Sequence, residues 1–444
     1  MRRRCGERNR GRATRPGAPT EAATALLAAA FVAGCGIEAV EPADEGPIHA
    51  GVAEIFADLD RDDGPGAAVG VRFEGEVVHR AGYGMANLDH GIPISPQTVF
   101  DIASISKQFG AMAALLLEGE GRLDFDADVR GYVAEVPDFG PVITARHLVH
   151  HTSGIRDWPH AMTMGGVTYT DVISFDKILR MLYRQEELDF APGTAYSYSN
   201  TGYNLLARII EVQSGETFRD YTQGRIFEPL GMEHTHFSDD YLEIVPGRAE
   251  SYAPADGGGH RRVINQLTAL ASSSLNTTVD DFLLWMENYE TGRVGGEATL
   301  GRMLERGACF RTQFLRFPEQ TLSIVVFCNV SNCDPGGRAR RVAEVFLEDR
   351  MGPPSGGGPV PPEDAAPATM TAAQLRPYTG TYRSPELDST YEIVLEDGRL
   401  IARHWRNDDA WLAPAGDDTF HSRQPWLPTV RFRSGPGGSI DAML

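Results

Sequence analysis

Lysine is almost missing from this chain: two residues, Lys107 and Lys177, stand against 39 arginines (41 basic residues minus 2). Scarcity makes the place of each lysine informative. Cysteine is scarce as well, with five in 444 residues. No Cys/His cluster has metal-ligand spacing, and the nearest approach, His150-His151, lacks partners in sequence. No metal site is therefore expected. Long apolar runs are missing too, which leaves no stretch able to span a bilayer as a helix. Acidic residues dominate instead: the net charge is −20. The first 34 residues carry +5 (seven Arg, two Glu), so the remainder carries −25. Such an acidic body is a poor partner for nucleic acid.

The N-terminus reads as an address. Seven arginines between Arg2 and Arg15 precede a largely apolar run from Ala22 to Ala33. Twelve residues suit the apolar core of a secretory leader and are too few for a spanning helix. The run ends Val32-Ala33-Gly34-Cys35, which resembles a bacterial lipobox. We expect 1–35 to be a leader, Cys35 to be lipidated, and the protein to be secreted to the cell envelope with that lipid as its only membrane contact. With Cys5 removed and Cys35 modified, Cys309, Cys328 and Cys333 remain, and three thiols cannot all pair within one chain. Cys328 lies in an apolar, strand-like run and is expected in the core.

The stretch Phe100–Gly119 organises the rest. Its apolar residues Ile102, Ile105, Phe109, Met112 and Leu116 recur at spacings of 3, 4, 3 and 4, the buried face of a helix. Ser104 and Lys107 lie off that stripe, three apart, and would stack over one turn. A hydroxyl beside an amine that burial keeps unprotonated is a nucleophile–base pair. The positive helix start beside the Ser104 amide suits a developing oxyanion. Spacing alone does not select this serine, because Ser174 also stands three before Lys177. Ser174 is better read as the N-cap of a helix through Ile178, Leu179 and Leu182.

Along the chain, 36–47 is a spacer and Ile48–Leu59 reads as helix. Gly66–Phe73 and Glu76–Gly82 form a hairpin around Glu74-Gly75. The turn His151-Thr152-Ser153-Gly154 offers a histidine beside a serine, and backbone bonding by both is the expected use. Leu205, Leu206, Ile209 and Ile210 mark a helix closed by Gly215. Tyr196-Ser197-Tyr198-Ser199-Asn200 stands one turn before it, where side chains project into a cleft.

These motifs carry a resemblance. SISK at Ser104–Lys107, HTSGI at His151–Ile155, YSN at Tyr198–Asn200 and FEPLGMEHTHF at Phe227–Phe237 resemble the serine β-lactamase-like superfamily, in particular its class C β-lactamase, D-aminopeptidase and esterase group. The resemblance implies an α+β fold: an antiparallel sheet flanked by helices, beside a helical subdomain, over 48–350. It implies Ser104 as nucleophile, Lys107 as its base partner, Tyr198 as second base and leaving-group acid, with Tyr196 as the alternative if the motif is shifted by two, and Asn200 as a substrate ligand. The implied reaction is acyl transfer on a small-molecule or peptide-like substrate (an ester, amide or lactam) with no metal or cofactor.

One family part is missing. The third motif is a Lys- or His-x-Gly triplet on the strand edging the site, yet no lysine or histidine lies between His260 and His404. Glu290-Thr291-Gly292 has the triplet's tail with the wrong charge and falls at a helix end. Twelve residues separate Gly296 from Cys309, too few for a helix plus that strand. Its loss would remove one oxyanion donor, worth about 10²–10³ in turnover. A descendant that only binds, holding peptidoglycan fragments or a partner protein in the same cleft, is the alternative expectation.

The Pro/Gly-rich 351–370 reads as a linker. Short alternating strands over 371–444 then resemble the small β-barrel appended to many such hydrolases. Trp405, Trp411 and Trp426 offer a ligand groove, with core packing the expected use.

Overall fold

A computed structural model describes residues 47–304, 314–347, 370–435 and 440–443. The leader, Cys35 and most of the expected linker lie outside the described residues. Four strands build the principal sheet: β1 (Ala67–Phe73), β2 (Glu76–Tyr83), β3 (Phe314–Phe317) and β4 (Leu322–Cys328). Their order is β3-β4-β1-β2, antiparallel throughout. Glu74 and Gly75 both take positive φ, 53° and 86°, as a tight hairpin between β1 and β2 requires. The main helices are α1 (Pro47–Phe56), α2 (Lys107–Gly119), α3 (Trp158–Met164), α4 (Phe175–Leu182), α5 (Asn200–Ser214), α6 (Val279–Thr291) and α7 (Pro335–Leu347).

Burial on both faces explains the nearly unbroken apolar run of β4. Ile324 and Val326 join Val69 and Val71 beneath Phe56 of α1 and Val342 of α7. Val325 and Phe327 face the other way, into the core shared with α2, α5 and α6. Gly70 lets α6 come close, since a Cβ there would stand 2.7 Å from Val279 Cγ1.

α2 departs from the one-sided stripe the sequence suggests. It starts at Lys107, after a 3₁₀ turn over Ala103–Ser106, and is buried nearly all round. Phe109 meets Phe227, Phe282 and Trp285, while Gly110 lies against Ala271. A helix enclosed on all sides carries its chemistry at its end. Ser174 caps α4 as expected, accepting from the Lys177 amide at 3.3 Å.

Cys328 is not merely a core thiol. It is bonded to Cys333, five residues on, across the turn that follows β4. Beyond, seven strands pair in sequence order: β5 (Gly380–Ser384), β6 (Ser389–Glu396), β7 (Arg399–His404), β8 (Ala410–Gly416), β9 (Thr419–His421), β10 (Thr429–Ser434) and β11 (Ile440–Met443). The sheet curls until Tyr382 of β5 packs on Phe432 of β10, a nearly closed barrel around one core. Only Trp426 joins that core; Trp405 and Trp411 are 75% and 49% exposed, contrary to the expectation for all three. This sheet belongs to the same compact unit as the larger domain.

Candidate active site

The nucleophile candidate is set by a forced turn. Asp101 Oδ1 accepts from the Ala103 amide at 2.9 Å, and Ala103 takes φ 47°, rare for a residue with a Cβ. Ser104 is the second residue of the 3₁₀ turn that follows. Its N–H is therefore among the first donors of a helical run, which have no partner within the run. Lys107, one turn on, is 1% exposed. Its Nζ donates to Asn200 Oδ1 at 2.7 Å and to the Ser272 carbonyl at 2.8 Å. Burial, partly opposed by the Asp157 charge, pulls this amine down to about 7. Two N–H bonds point at acceptors, so the third position of the nitrogen holds either a proton or a lone pair. Among the described residues Nζ makes no hydrogen bond to Ser104, although the spacing suggested a direct pair.

The second cluster arrives at the start of α5. Ser199 caps that helix by accepting from Gly202 N at 3.2 Å, which leaves Tyr198 just outside it. The Tyr198 hydroxyl donates to Ser104 Oγ at 3.0 Å. Tyr198, rather than Tyr196, thus reaches the serine; Tyr196 lies edge-on to His151 at 5.9 Å. Burial raises Tyr198 above the ordinary phenol value, so the phenol keeps its proton at neutral pH.

His151 holds this tyrosine in place. Its ring packs against Tyr198 with centroids 4.4 Å apart, and its Nδ1 accepts from Ser199 N at 3.1 Å. Burial and then the Lys107 charge push the imidazole down to about 3, so it stays neutral. Ser153 Oγ accepts from Ile155 N at 3.3 Å. Both side chains serve the backbone, as expected of this turn.

Asp157 is the residue sequence reasoning missed. It precedes α3 in the N-cap position, yet its side chain makes no capping bond to that helix. It accepts instead from Asn200 N at 2.7 Å and from Asn200 Nδ2 at 3.0 and 3.2 Å. Burial raises its pKa, against the Asn200 bonds and the Lys107 charge. Asn200 thus joins Lys107 to Asp157. The only signal in sequence was an Asp before a helix, which reads as an ordinary cap.

The sheet ends at β3 among the described residues, with no strand beyond it. Gly292 terminates α6 at φ 64°, and Glu290 is paired with Arg72 at 3.0 Å. That near-triplet is structural. Among the described residues no group of three His, Cys, Asp or Glu side chains is placed to hold a metal.

The Ser–Lys–Tyr–Asn cluster stands at the starts of α2 and α5. Residues 52–314 match the family model described as Beta-lactamase. The chain belongs to the beta-lactamase family. Within that family it is similar to a D-aminopeptidase of Gluconobacter oxydans, 32% identical over 223 residues, covering 50% of this chain and 42% of the relative. A D-aminopeptidase of Brucella canis is 30% identical over 235 residues, covering 52% and 43%. The chain thus spans less than half the length of these curated relatives. In fold, this beta-lactamase family member is similar to the octameric penicillin-binding protein homologue from Pyrococcus abyssi (TM-score 0.60, 20% identity, 89% of this chain and 97% of that one). It is also similar to the D-amino acid amidase from Ochrobactrum anthropi SV3 (TM-score 0.58, 21% identity, 68% and 99%).

Proposed function

We propose that the protein is a serine hydrolase that works through an acyl-enzyme on Ser104, cleaving an amide or ester of a small, peptide-like substrate. The observation that carries this reading is the Tyr198 hydroxyl on Ser104 Oγ at 3.0 Å, beside a buried lysine able to hold a free lone pair. In the proposed acylation, Ser104 Oγ bonds to the carbonyl carbon and its proton passes to the neutral Lys107 amine. Tyr198 gives its proton to the leaving group as the carbonyl–leaving-group bond breaks, and the tyrosinate is reprotonated from Lys107. Water then attacks the acyl-enzyme with the proton steps reversed. This transfer requires Nζ to turn from one of its two acceptors toward Ser104 Oγ. Asn200 holds Lys107 in place, and the Ser104 amide serves the oxyanion.

The substrate class we favour carries a free ammonium next to the scissile carbonyl, as in D-amino acid amides and short D-peptides. Two things support it: the D-aminopeptidase relatives, and the Asp157 carboxylate beside a site that has no third-motif cation. A lactam or a peptide C-terminus brings a carboxylate, for which this site offers less. That no strand lies beyond β3 among the described residues favours a second reading, a non-catalytic cleft that binds peptidoglycan fragments or a partner protein. Location at the cell envelope through a lipid on Cys35 is part of the proposal, supported by the arginine-rich leader and the Val-Ala-Gly-Cys sequence.

Intact-mass spectrometry with a fluorophosphonate and, separately, a penicillin tests this, with Ser104→Ala alongside. One phosphonyl adduct, lost in Ser104→Ala, is expected; folded protein that takes no adduct overturns hydrolysis in favour of binding.

A further inference from the structure

We propose that Glu386, on the C-terminal sheet, is a positioning residue for the Ser104 site, acting through Arg156 on the Asp157–Asn200–Lys107 chain. The inference rests on the reading of that site as a hydrolase and adds a role for the second domain.

The β5–β6 turn carries Glu386 into the larger domain, where its side chain is 9% exposed. Its Oε2 accepts from Arg156 Nη1, while Arg156 Nε donates to Asp189 Oδ1 at 3.0 Å. Arg156 is the immediate neighbour of Asp157, and the two anchor points leave little freedom between them. On the far side, Trp158 N donates to Thr201 Oγ1 at 2.8 Å, so residues 157 and 158 are bolted to residues 200 and 201. The C-terminal sheet also grips the other end of α3. Tyr391 OH donates to the Met164 carbonyl at 3.0 Å, and Asn407 Nδ2 to the Thr163 carbonyl at 2.9 Å. Leu387 packs on the cluster of Trp158 and Met162 between them. α3 is thus held at both ends by the C-terminal sheet and its loops, and the residue just before it, Asp157, holds Asn200.

Glu386 is also under-used for a merely structural ion pair. Its Oε1 is buried with no hydrogen-bond partner among the described residues. A desolvated carboxylate bonded through one oxygen is an expensive way to fix a surface and a stiff way to aim one guanidinium. The second domain thereby sets the geometry of a lysine it does not touch.

The test uses the full chain with Glu386→Ala, Glu386→Gln and Glu386→Asp. Hydrogen–deuterium exchange is read over 157–164 and 199–204, beside the rate of fluorophosphonate labelling of Ser104 from pH 5 to 9. Exchange at both segments should quicken at least fivefold in Glu386→Ala and Glu386→Gln. Labelling should slow about tenfold in both, with a displaced acid limb, and Glu386→Asp should recover part of each effect. Wild-type exchange in folded Glu386→Gln overturns the positioning role, whether or not Ser104 is reactive. Quickened exchange with an unchanged labelling rate and pH profile confines Glu386 to the interface and also overturns it. Wild type left unlabelled, like Ser104→Ala, overturns the hydrolase reading instead, and exchange then still decides the clamp. If Glu386→Ala fails to fold, Glu386→Gln keeps the shape and carries the test.

Discussion

Asn200 Nδ2 donates to both carboxylate oxygens of Asp157, which turns the Asn200 carbonyl oxygen onto Lys107 at 2.7 Å. One buried acid thus fixes which end of an amide faces the amine. Replacing it by Asp157→Asn removes the charge that holds the Lys107 pKa up. The lysine should then lose its proton more readily, and the acid limb of Ser104 labelling should move to lower pH than in wild type. A limb that moves upward, or not at all, removes Asp157 from the site's electrostatics.

The depressed lysine has a consequence for stability. Its folded value, about 7, lies below the unfolded value, so the unfolded chain binds the extra proton between the two. The penalty is full below pH 7 and fades as pH rises toward the unfolded value of about 10.4. Lys107→Met removes the penalty but strands two acceptors, each at a cost of about 1–3 kcal/mol at every pH. The variant's stability relative to wild type should therefore be highest below pH 7 and fall by about 4 kcal/mol as pH rises to 10. Melting curves at several pH values check this, and labelling should be lost at every pH.

Tyr198→Phe keeps the ring against His151 and deletes only the hydroxyl. Acylation should fall about 10²–10⁴-fold, the range for one proton-transfer group, with an unchanged melting temperature. Retained turnover would return Tyr196 to consideration.

Gly166 tests the domain contact from the opposite side. It takes φ 80°, and a Cβ there would stand 2.5 Å from His404 Cε1. Gly166→Ala should cost about 1–3 kcal/mol and expose the C-terminal sheet to limited proteolysis. Gly165→Ala separates backbone strain from crowding: that residue has φ −71°, and a Cβ there would stand 3.2 Å from the Leu387 carbonyl, so it presses on the same contact without the left-handed backbone and should cost less than Gly166→Ala.

Much of this site was legible because its residues stand at helix starts, where local sequence punctuates the chain. Ser104, Lys107, Tyr198 and Asn200 all precede or begin apolar helical stripes, and the structure brings them together. Asp157 was hidden because its partner lies 43 residues away, and a local cap explained it equally well. Among the described residues no hydrogen bond joins Ser104 to Lys107, because Asn200 Oδ1 and the Ser272 carbonyl take the amine's donors. The Cys328–Cys333 bond was missed because the apolar strand around Cys328 gave a sufficient account of its burial. Trp405 and Trp411 show the limit of alternation: a strand pattern tells which residues share a face, and not whether that face is covered.

Gly66 N donates to Asn329 Oδ1 across 263 residues, at the seam where β1 meets β4. During synthesis β1 must wait, unpaired on that side, until nearly the whole domain has been made. Closing so long a loop costs entropy that only the finished sheet returns. The helical segments between these strands are free to form first. The principal sheet carries the longest-range strand pairings of the domain, so we expect its closure to follow formation of the helices between its strands.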